Sequence, residues 1–281
     1  MRFAVIGDCL LDITAVAAGA ILSGADAPAR IELGPGGQAA NVAVRLARRG
    51  ATVRLVAPFA SDAAGTLLRE ALRREAVELV ELPAERSGTV VALIDDGERT
   101  MLSHRAPFAR SVAGELASAV ADAGWIHCSG YALLDPRGPE VAATLAQRPV
   151  EALLSVGGCA VPAEAAAQFR ELLALARPNL LVLNGAEAAS LGPGFDTVVT
   201  DRDGSNASLG ALQLRVEAAQ VPAVDATGAG DAYAAALIGS LSQGPWPPGE
   251  DELRAAMRAA GQLAGLVAGA LGAQARVAGE D

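Results

Sequence analysis

Lysine is missing from this sequence, and all 22 basic residues are arginine. The absence excludes several phosphate and cofactor chemistries. A Walker-A loop needs a lysine on the nucleotide phosphates, a protein kinase needs one on its third strand, and a pyridoxal enzyme needs one for its Schiff base. Aromatic residues make up only 3% against 52% hydrophobic residues, so the core has to be built from Ala, Val and Leu. Histidine and cysteine are scarce too: His104, His127, Cys9, Cys128 and Cys159 show no C-x-x-C spacing and assemble no zinc-type cluster. Each cysteine lies in an apolar context and reads as a buried structural thiol. Positive charge is in deficit, with a formal net charge of −10, which argues against a nucleic-acid partner. No long hydrophobic run is present; the most apolar stretch, 261–272, is too short to span a bilayer. Arg2 leads into a short strand-like run rather than a signal peptide. The expectation is a cytoplasmic protein without membrane or nucleic-acid partners.

What is present is organised around V-D-A-T-G-A-G-D-A-Y-A-A, Val224 to Ala235. The alanine-rich run from Ala232 to Leu241 reads as a helix, which places Gly228, Ala229 and Gly230 at its N-terminus. Glycines allow a tight turn, and the helix end offers unpaired N–H groups and partial positive charge to an anion. Asp231, in the first helical turn, is expected to stay ionised there. A carboxylate beside an anion cradle can deprotonate a hydroxyl and direct it at a phosphoryl group.

Read in order, the chain begins with a strand at Phe3–Ile6, followed by Asp8 and Asp12, either of which is placed to face a substrate at the carboxyl end of a sheet. The stretch 15–33 has no clear period and reads as an excursion from the main sheet. Gly34-Pro35-Gly36-Gly37-Gln38-Ala39-Ala40-Asn41 opens a helix that runs to Arg49 and stops at Gly50, with Val42 and Leu46 inward and Arg45, Arg48 and Arg49 outward. A strand over 53–57, a helix over 63–75 and a strand over 77–82 follow. Residues 89–94 and 100–103 form a hairpin about the turn 95–98. From Ser111 onward, strands at 125–128, 152–156, 180–183 and 197–200 alternate with helices at 113–121, 139–146, 163–176 and 186–191. Residues 213–216 add an antiparallel strand, and helices at 232–241 and 251–271 close the chain. Such alternation predicts an α/β fold with a mostly parallel sheet covered on both faces.

The G-G-Q-A-A-N-V-A stretch, with Gly36, Gly37 and Asn41, and D-A-T-G-A-G-D, Asp225 to Asp231, together resemble the two signatures of the ribokinase-like (PfkB) carbohydrate kinases. The G-D-x-x-x-D of Gly7 to Asp12 and the hairpin also fall where that family has them. The resemblance implies a single domain, 1–281, forming a three-layer α/β/α sandwich with a mostly parallel central sheet. A small β-sheet lid would come from about 13–35 and 86–107. It implies an ATP-dependent kinase acting on a hydroxyl, notably a hydroxymethyl, of a sugar or sugar acid. Asp231 would be the base and the amides of Gly228, Ala229 and Gly230 the anion hole. Asp12, Gly36, Gly37 and Asn41 would bind substrate. Asn184, Thr200, Gly204 and Thr227, with Gly228 and Gly230, would lie along the nucleotide. Glu187, paired with Asn184 in N-G-A-E, would help place Mg2+, and Asp225 lies where many members hold a monovalent cation. The hairpin's free edge predicts burial against a second copy, a homodimer through the lid.

Two features pull the other way. Val199-Thr200 is followed by Asp201-Arg202-Asp203-Gly204, one residue shorter than the family's V-T-x-G-x-x-G and lacking its first glycine. That loop is what would favour a non-catalytic sugar- or nucleotide-binding protein. Gly34-x-Gly36-x-x-Ala39 with Asp62 also matches the dinucleotide fingerprint of an NAD(P)-dependent oxidoreductase, a reading that leaves Asp225 to Asp231 unexplained. Arg105 reads as a surface arginine. The lid segments carry no aromatic residue, which favours a sugar over a nucleoside substrate.

Overall fold

The computed structural model describes every residue except 22, 23, 25, 96, 97, 219, 220, 222, 223, 279 and 281, together with the backbone but not the side chains of 95, 98 and 99. The chain starts β1 (Arg2–Ile6), β2 (Leu10–Ala17), β3 (Ala29–Gly36), α1 (Gln38–Arg48), β4 (Thr52–Phe59), α2 (Ala63–Arg74) and β5 (Glu78–Pro83). It continues with β6 (Gly88–Asp95), β7 (Glu98–His104), α3 (Ala113–Val120), β8 (Trp125–Ser129), α4 (Gly130–Leu134), α5 (Gly138–Ala146) and β9 (Leu153–Gly157). Then come α6 (Ala166–Ala176), β10 (Leu180–Asn184), α7 (Gly185–Leu191), β11 (Thr197–Asp201), β12 (Gly204–Leu209), β13 (Leu212–Glu217), α8 (Ala229–Leu241) and α9 (Glu250–Ala268).

Alternation along β1 decides the layering. Phe3 and Val5 face one core and Ala4 and Ile6 the other, because successive strand residues point to opposite sides. The first core lies under α1, α8 and α9, and the second under α3, α5 and α6. Strands buried on both sides in this way make the long apolar runs of a parallel sheet. The large sheet has nine strands in the order β13-β12-β11-β10-β9-β8-β1-β4-β5, antiparallel at β11–β12–β13 and parallel elsewhere. From β1 the chain adds strands first on the β4 side and later on the β8 side. The crevice outside the carboxyl ends of β1 and β8 is therefore a topological switch point, where open α/β sheets bind ligands.

α8 is apolar almost all round, and its residues 232–238 are buried. A helix of that composition belongs in a core, and its alanines let it pack closely between α1 and α9. The three cysteines are buried and unpaired. Among the described residues no helix is long and apolar enough to cross a membrane.

A second sheet, ordered β3-β2-β6-β7, is built from the segment that shows no clear period and from the hairpin. One face of β2, carrying Leu10, Asp12 and Thr14, is buried, and the other is half-buried. The hairpin turn 95–98 lies partly outside the described residues. Two orientations are corrected: Arg48 does not point outward, its side chain being 6% exposed, and neither does Arg45, which is fully buried. It sits four residues after Asn41, on the same face of α1, and that face is covered by the segment after α9.

Candidate functional site

The site is assembled at two helix N-termini that meet over the carboxyl ends of the strands. Gly37 caps α1 with φ +97, and a Cβ there would lie 2.7 Å from the Asp8 carbonyl oxygen, so this corner admits glycine alone without a backbone shift. Gly228 caps α8 with φ +75, and a Cβ would meet Ala273 O at 2.8 Å. Gly230 has open space where its Cβ would be, facing the crevice.

Asp231 stands in the first turn of α8. Asn41 Nδ2 donates to Asp231 Oδ2 at 2.7 Å, and Gln274 Nε2 donates to Asn41 Oδ1 at 2.9 Å. Asn41 is buried and spends both ends of its amide on these two partners. The expectation that the helix end keeps Asp231 ionised needs correction. Burial pushes its carboxyl up to about 7; the Asn41 bond and Arg45 pull it down, while repulsion from Asp8 and Glu187 adds to the rise. Loss of water outweighs the helix end. The result is a carboxylate poised near neutrality, where a general base works best.

A cavity of about 180 Å³ opens beside it, lined among others by Gln38, Asn184, Glu187, Thr200, Gly230 and Asp231. Residues nearly two hundred positions apart in sequence thus share one wall. Asn184 and Glu187 form a reciprocal cap on α7, with Glu187 N to Asn184 Oδ1 at 2.9 Å and Asn184 N to Glu187 Oε2 at 2.8 Å. Burial raises the Glu187 carboxyl, and the Asn184 N–H opposes that rise. Its carboxylate lies over Gly158, where a Cβ would sit 1.9 Å from Glu187 Oε2. Asp8 and Glu187 both push the Asp231 carboxyl up, an electrostatic setting that a nearby cation would relieve.

Other predicted positions stand further out. Asp12 is buried on the inner face of the small sheet against Gly36, whose Cβ would touch Asp12 Cβ at 3.0 Å. Asp225 accepts Thr227 N at 2.9 Å, Thr227 Oγ1, and Gly272 N at 3.0 Å. Ala229 N turns back to Ala226 O at 3.3 Å. Asp201 pairs with Gly204 across a two-residue turn, so the shortened loop is a β-hairpin. Gly204 is buried with φ +149, and its Cβ would lie 2.2 Å from Val216 O, so it serves the packing of β12 on β13 and is not in the cavity wall.

Several residues were not expected here. Arg105 is no surface arginine: Nη1 donates to Asp8 Oδ2 at 2.5 Å, and its guanidinium lies 3.5 Å from the centroid of the Tyr131 ring. Asp8 also accepts Ser129 Oγ at 3.1 Å. Asp8, Arg105 and Tyr131, with Phe108 and Asp135, line a second cavity of about 320 Å³. Gln38, within the glycine motif, donates to Gly158 O at 2.7 Å and ties α1 to the end of β9. Gln274 carried no local signal at all, whereas Arg45 was signalled by its spacing from Asn41.

The arrangement can hold an anion at α8, take a proton on Asp231 and accommodate a cation near Glu187. A fructokinase of Salmonella typhimurium is 26% identical over 275 residues, covering 86% of this chain and 85% of its own. The fold is shared with a sugar kinase of Pyrococcus horikoshii in complex with ATP (TM-score 0.80, 20% identity, 98% and 94% coverage). It is shared equally with an adenosine kinase of Sinorhizobium meliloti (TM-score 0.78, 21% identity, 98% and 96% coverage). The family model described as pfkB family carbohydrate kinase matches residues 2–278, and the chain belongs to that family.

Proposed function

We propose that the protein transfers the γ-phosphoryl group of ATP to a hydroxymethyl group of a sugar or sugar acid, with Asp231 as base. The observation that carries this reading is the Asn41–Asp231 bond of 2.7 Å at the first turn of α8, beside a cavity that also reaches Glu187 and Thr200. Asn41 holds one carboxylate oxygen and leaves the other for the acceptor hydroxyl. The N–H groups of Gly228 and Gly230 would meet the charge that builds on the phosphoryl oxygens, while that of Ala229 is turned to Ala226 O, and a preorganised dipole of this sort is worth most where water is excluded. Asp12, Gly36 and Gly37 line the acceptor side under the small sheet, which serves as a lid. In this reading Asn184, Thr200 and Thr227 lie along the nucleotide, and Gly204, buried between β12 and β13, supports the hairpin behind them.

MgATP, when bound, supplies the phosphoryl group and neutralises its charge. No group of three or more His, Cys, Asp or Glu residues able to hold a metal is found among the described residues. Glu187, in the cavity wall, would help hold Mg2+ beside the nucleotide phosphates, where the ion would neutralise their charge. Glu187→Gln is expected to raise the Mg2+ concentration for half-maximal turnover about tenfold or more, read from a Mg2+ titration at saturating ATP. A cytoplasmic location, where ATP is at hand, belongs to this reading.

The acceptor is identified by a coupled ADP-release screen across pentoses, hexoses, keto-acid sugars and nucleosides. Acceptor-dependent release with a sugar supports the reading; no release with any of them defeats it. A nucleoside kinase is the second reading, favoured by Tyr131 and Phe108 beside the larger cavity. Nucleosides responding above all sugars would establish it.

The outer face of the lid sheet supports a homodimer. Leu33 pairs with Ile13, Ile13 with Val91, and Val91 with Leu102, so one apolar row crosses all four strands. At its two ends Leu33 is 58% and Leu102 61% exposed. Contiguous apolar surface of this kind marks an interface, and a second copy would cover the row with its own. Light scattering is expected to give a dimer for the wild type and a monomer for Leu33→Glu/Leu102→Glu.

A further inference from the structure

After α9 the chain turns back as a strap, residues 270–278 with Glu280, lying between α1 and the anion-binding turn. Its contacts are unusual for a loop. Arg45, fully buried on α1, sends Nη2 to Ala273 O at 2.8 Å and Nη1 to Ala275 O at 2.9 Å and to Glu280 Oε1 at 2.5 Å. Arg48 Nη1 donates to Gln274 O at 3.0 Å. The strap in turn touches the catalytic apparatus at three points. Ala273 fills the space a Cβ on Gly228 would need, Gly272 N donates to Asp225 Oδ2 at 3.0 Å, and Gln274 Nε2 holds Asn41, the partner of Asp231.

The family resemblance implies a monovalent cation near Asp225, and the residues present do not fit one. The carboxylate of Asp225 is engaged by Thr227 and Gly272, and the strap carbonyls already face two guanidinium groups. A diffusible ion on these oxygens would sit against a fixed positive charge. Arginine suits the task better than an ion because its planar fork spans several acceptors and stays charged when buried.

We propose that Arg45 is a positioning residue that stands in for a monovalent cation: it holds the strap carbonyls against the anion-binding turn and, through Gln274 and Asn41, fixes the orientation of Asp231. This rests on the kinase reading above. Among the described residues, the charged groups that act most on Asp231 are Asp8 from the corner after β1, Glu187 from α7 and Arg45 from α1. Of these Arg45 alone is positive.

The first test needs no variant. Thermal unfolding of the wild type is compared in potassium chloride and tetramethylammonium chloride at equal ionic strength. The midpoints are expected to agree within about 1 °C, since no ion binds the native state selectively. A midpoint several degrees higher in potassium overturns the proposal. The second test is carbon-13 NMR titration of the Asp231 carboxyl in Arg45→Met/Glu280→Gln, which removes both charges so that neither is left unpaired in the interior. The titration midpoint is expected to rise by about half a pH unit or more on loss of the neighbouring cation. An unmoved midpoint in a folded protein overturns it. Gln274→Ala, which keeps every charge, is expected to lower kcat about tenfold with KM for ATP unchanged. A normal kcat in Gln274→Ala counts against the relay. The melting and NMR readouts need no acceptor, so a failed acceptor screen and a failed proposal are told apart.

Discussion

Asp231→Asn is expected to lower turnover by about 10² to 10⁴-fold, the usual contribution of a positioned general base, and at the same time to make the protein more stable at pH 8. The two effects share a cause. Asn keeps an oxygen for the Asn41 N–H but has no lone carboxylate to take a proton. In the folded protein the Asp231 carboxyl holds its proton up to about pH 7, whereas in the unfolded chain it releases it near its ordinary value of 3.8. A group with a raised folded-state pKa adds stability that is fully present below the unfolded value and is lost as pH rises toward the folded one. Above about pH 7 the native state therefore bears the full cost of a buried carboxylate. Discounted for its partial exposure to the cavity, that cost is about 2 kcal/mol. Asn removes it, so the variant's melting temperature should exceed the wild type's by several degrees at pH 8 and match it at pH 4. An equal difference at both pH values would show that the gain comes from packing and not from charge.

Glu280→Ala is expected to be among the most destabilising single changes in the molecule. The pair it breaks is deeply buried, with side-chain exposures of 0% for Arg45 and 3% for Glu280. Arg45 would keep its bonds to Ala273 and Ala275 but would lose the opposite charge that offsets its desolvation. Breaking a buried pair from one side costs about 3–5 kcal/mol, whereas replacing both partners costs far less. Urea unfolding should place Glu280→Ala in that range, and Arg45→Met/Glu280→Gln should recover at least half the loss. Activity in Glu280→Ala should fall as well, because the strap carries Gln274. A Glu280→Ala protein as stable as the wild type would mean that the strap does not sit on α1 in solution.

The main sheet was largely legible in the sequence because its signals are local. β1, β4, β8, β9, β10 and β11 are short apolar runs bounded by turns, and α1 and α2 carry a clear helical stripe. β12 was missed because G-S-N-A-S-L has neither β-branched residues nor strict alternation; it is a strand only because β11 and β13 pair with it on either side. α4 was missed for its brevity. β2 and β3 lie within or beside the stretch 13–35 expected to join the lid sheet, but their bounds were not legible because one face of that sheet is apolar without being covered in the chain itself.

At the site the same division holds. The glycines and Asp231 were visible because backbone geometry at a helix N-terminus demands particular residue types at fixed spacing. The Asn41–Gln274 bond spans 233 positions and leaves no trace in either neighbourhood. Arg45 was assigned to solvent by the rule that charge faces outward, yet its place one turn beyond Asn41 on an otherwise apolar face was a sign of burial. The ionisation of Asp231 was misjudged because the helix end is readable from sequence and the loss of water is not.

The most direct measurement of Asp231 as base is the pH dependence of kcat/KM on the best acceptor, which reports groups of the free enzyme. Below about 7, the value to which burial pushes Asp231, log kcat/KM should climb with unit slope and then level, and Asp231→Asn should show no such limb. A wild-type profile that is flat from about pH 5.5 to 8.5, or an Asp231→Asn enzyme within about tenfold of the wild type, would contradict it.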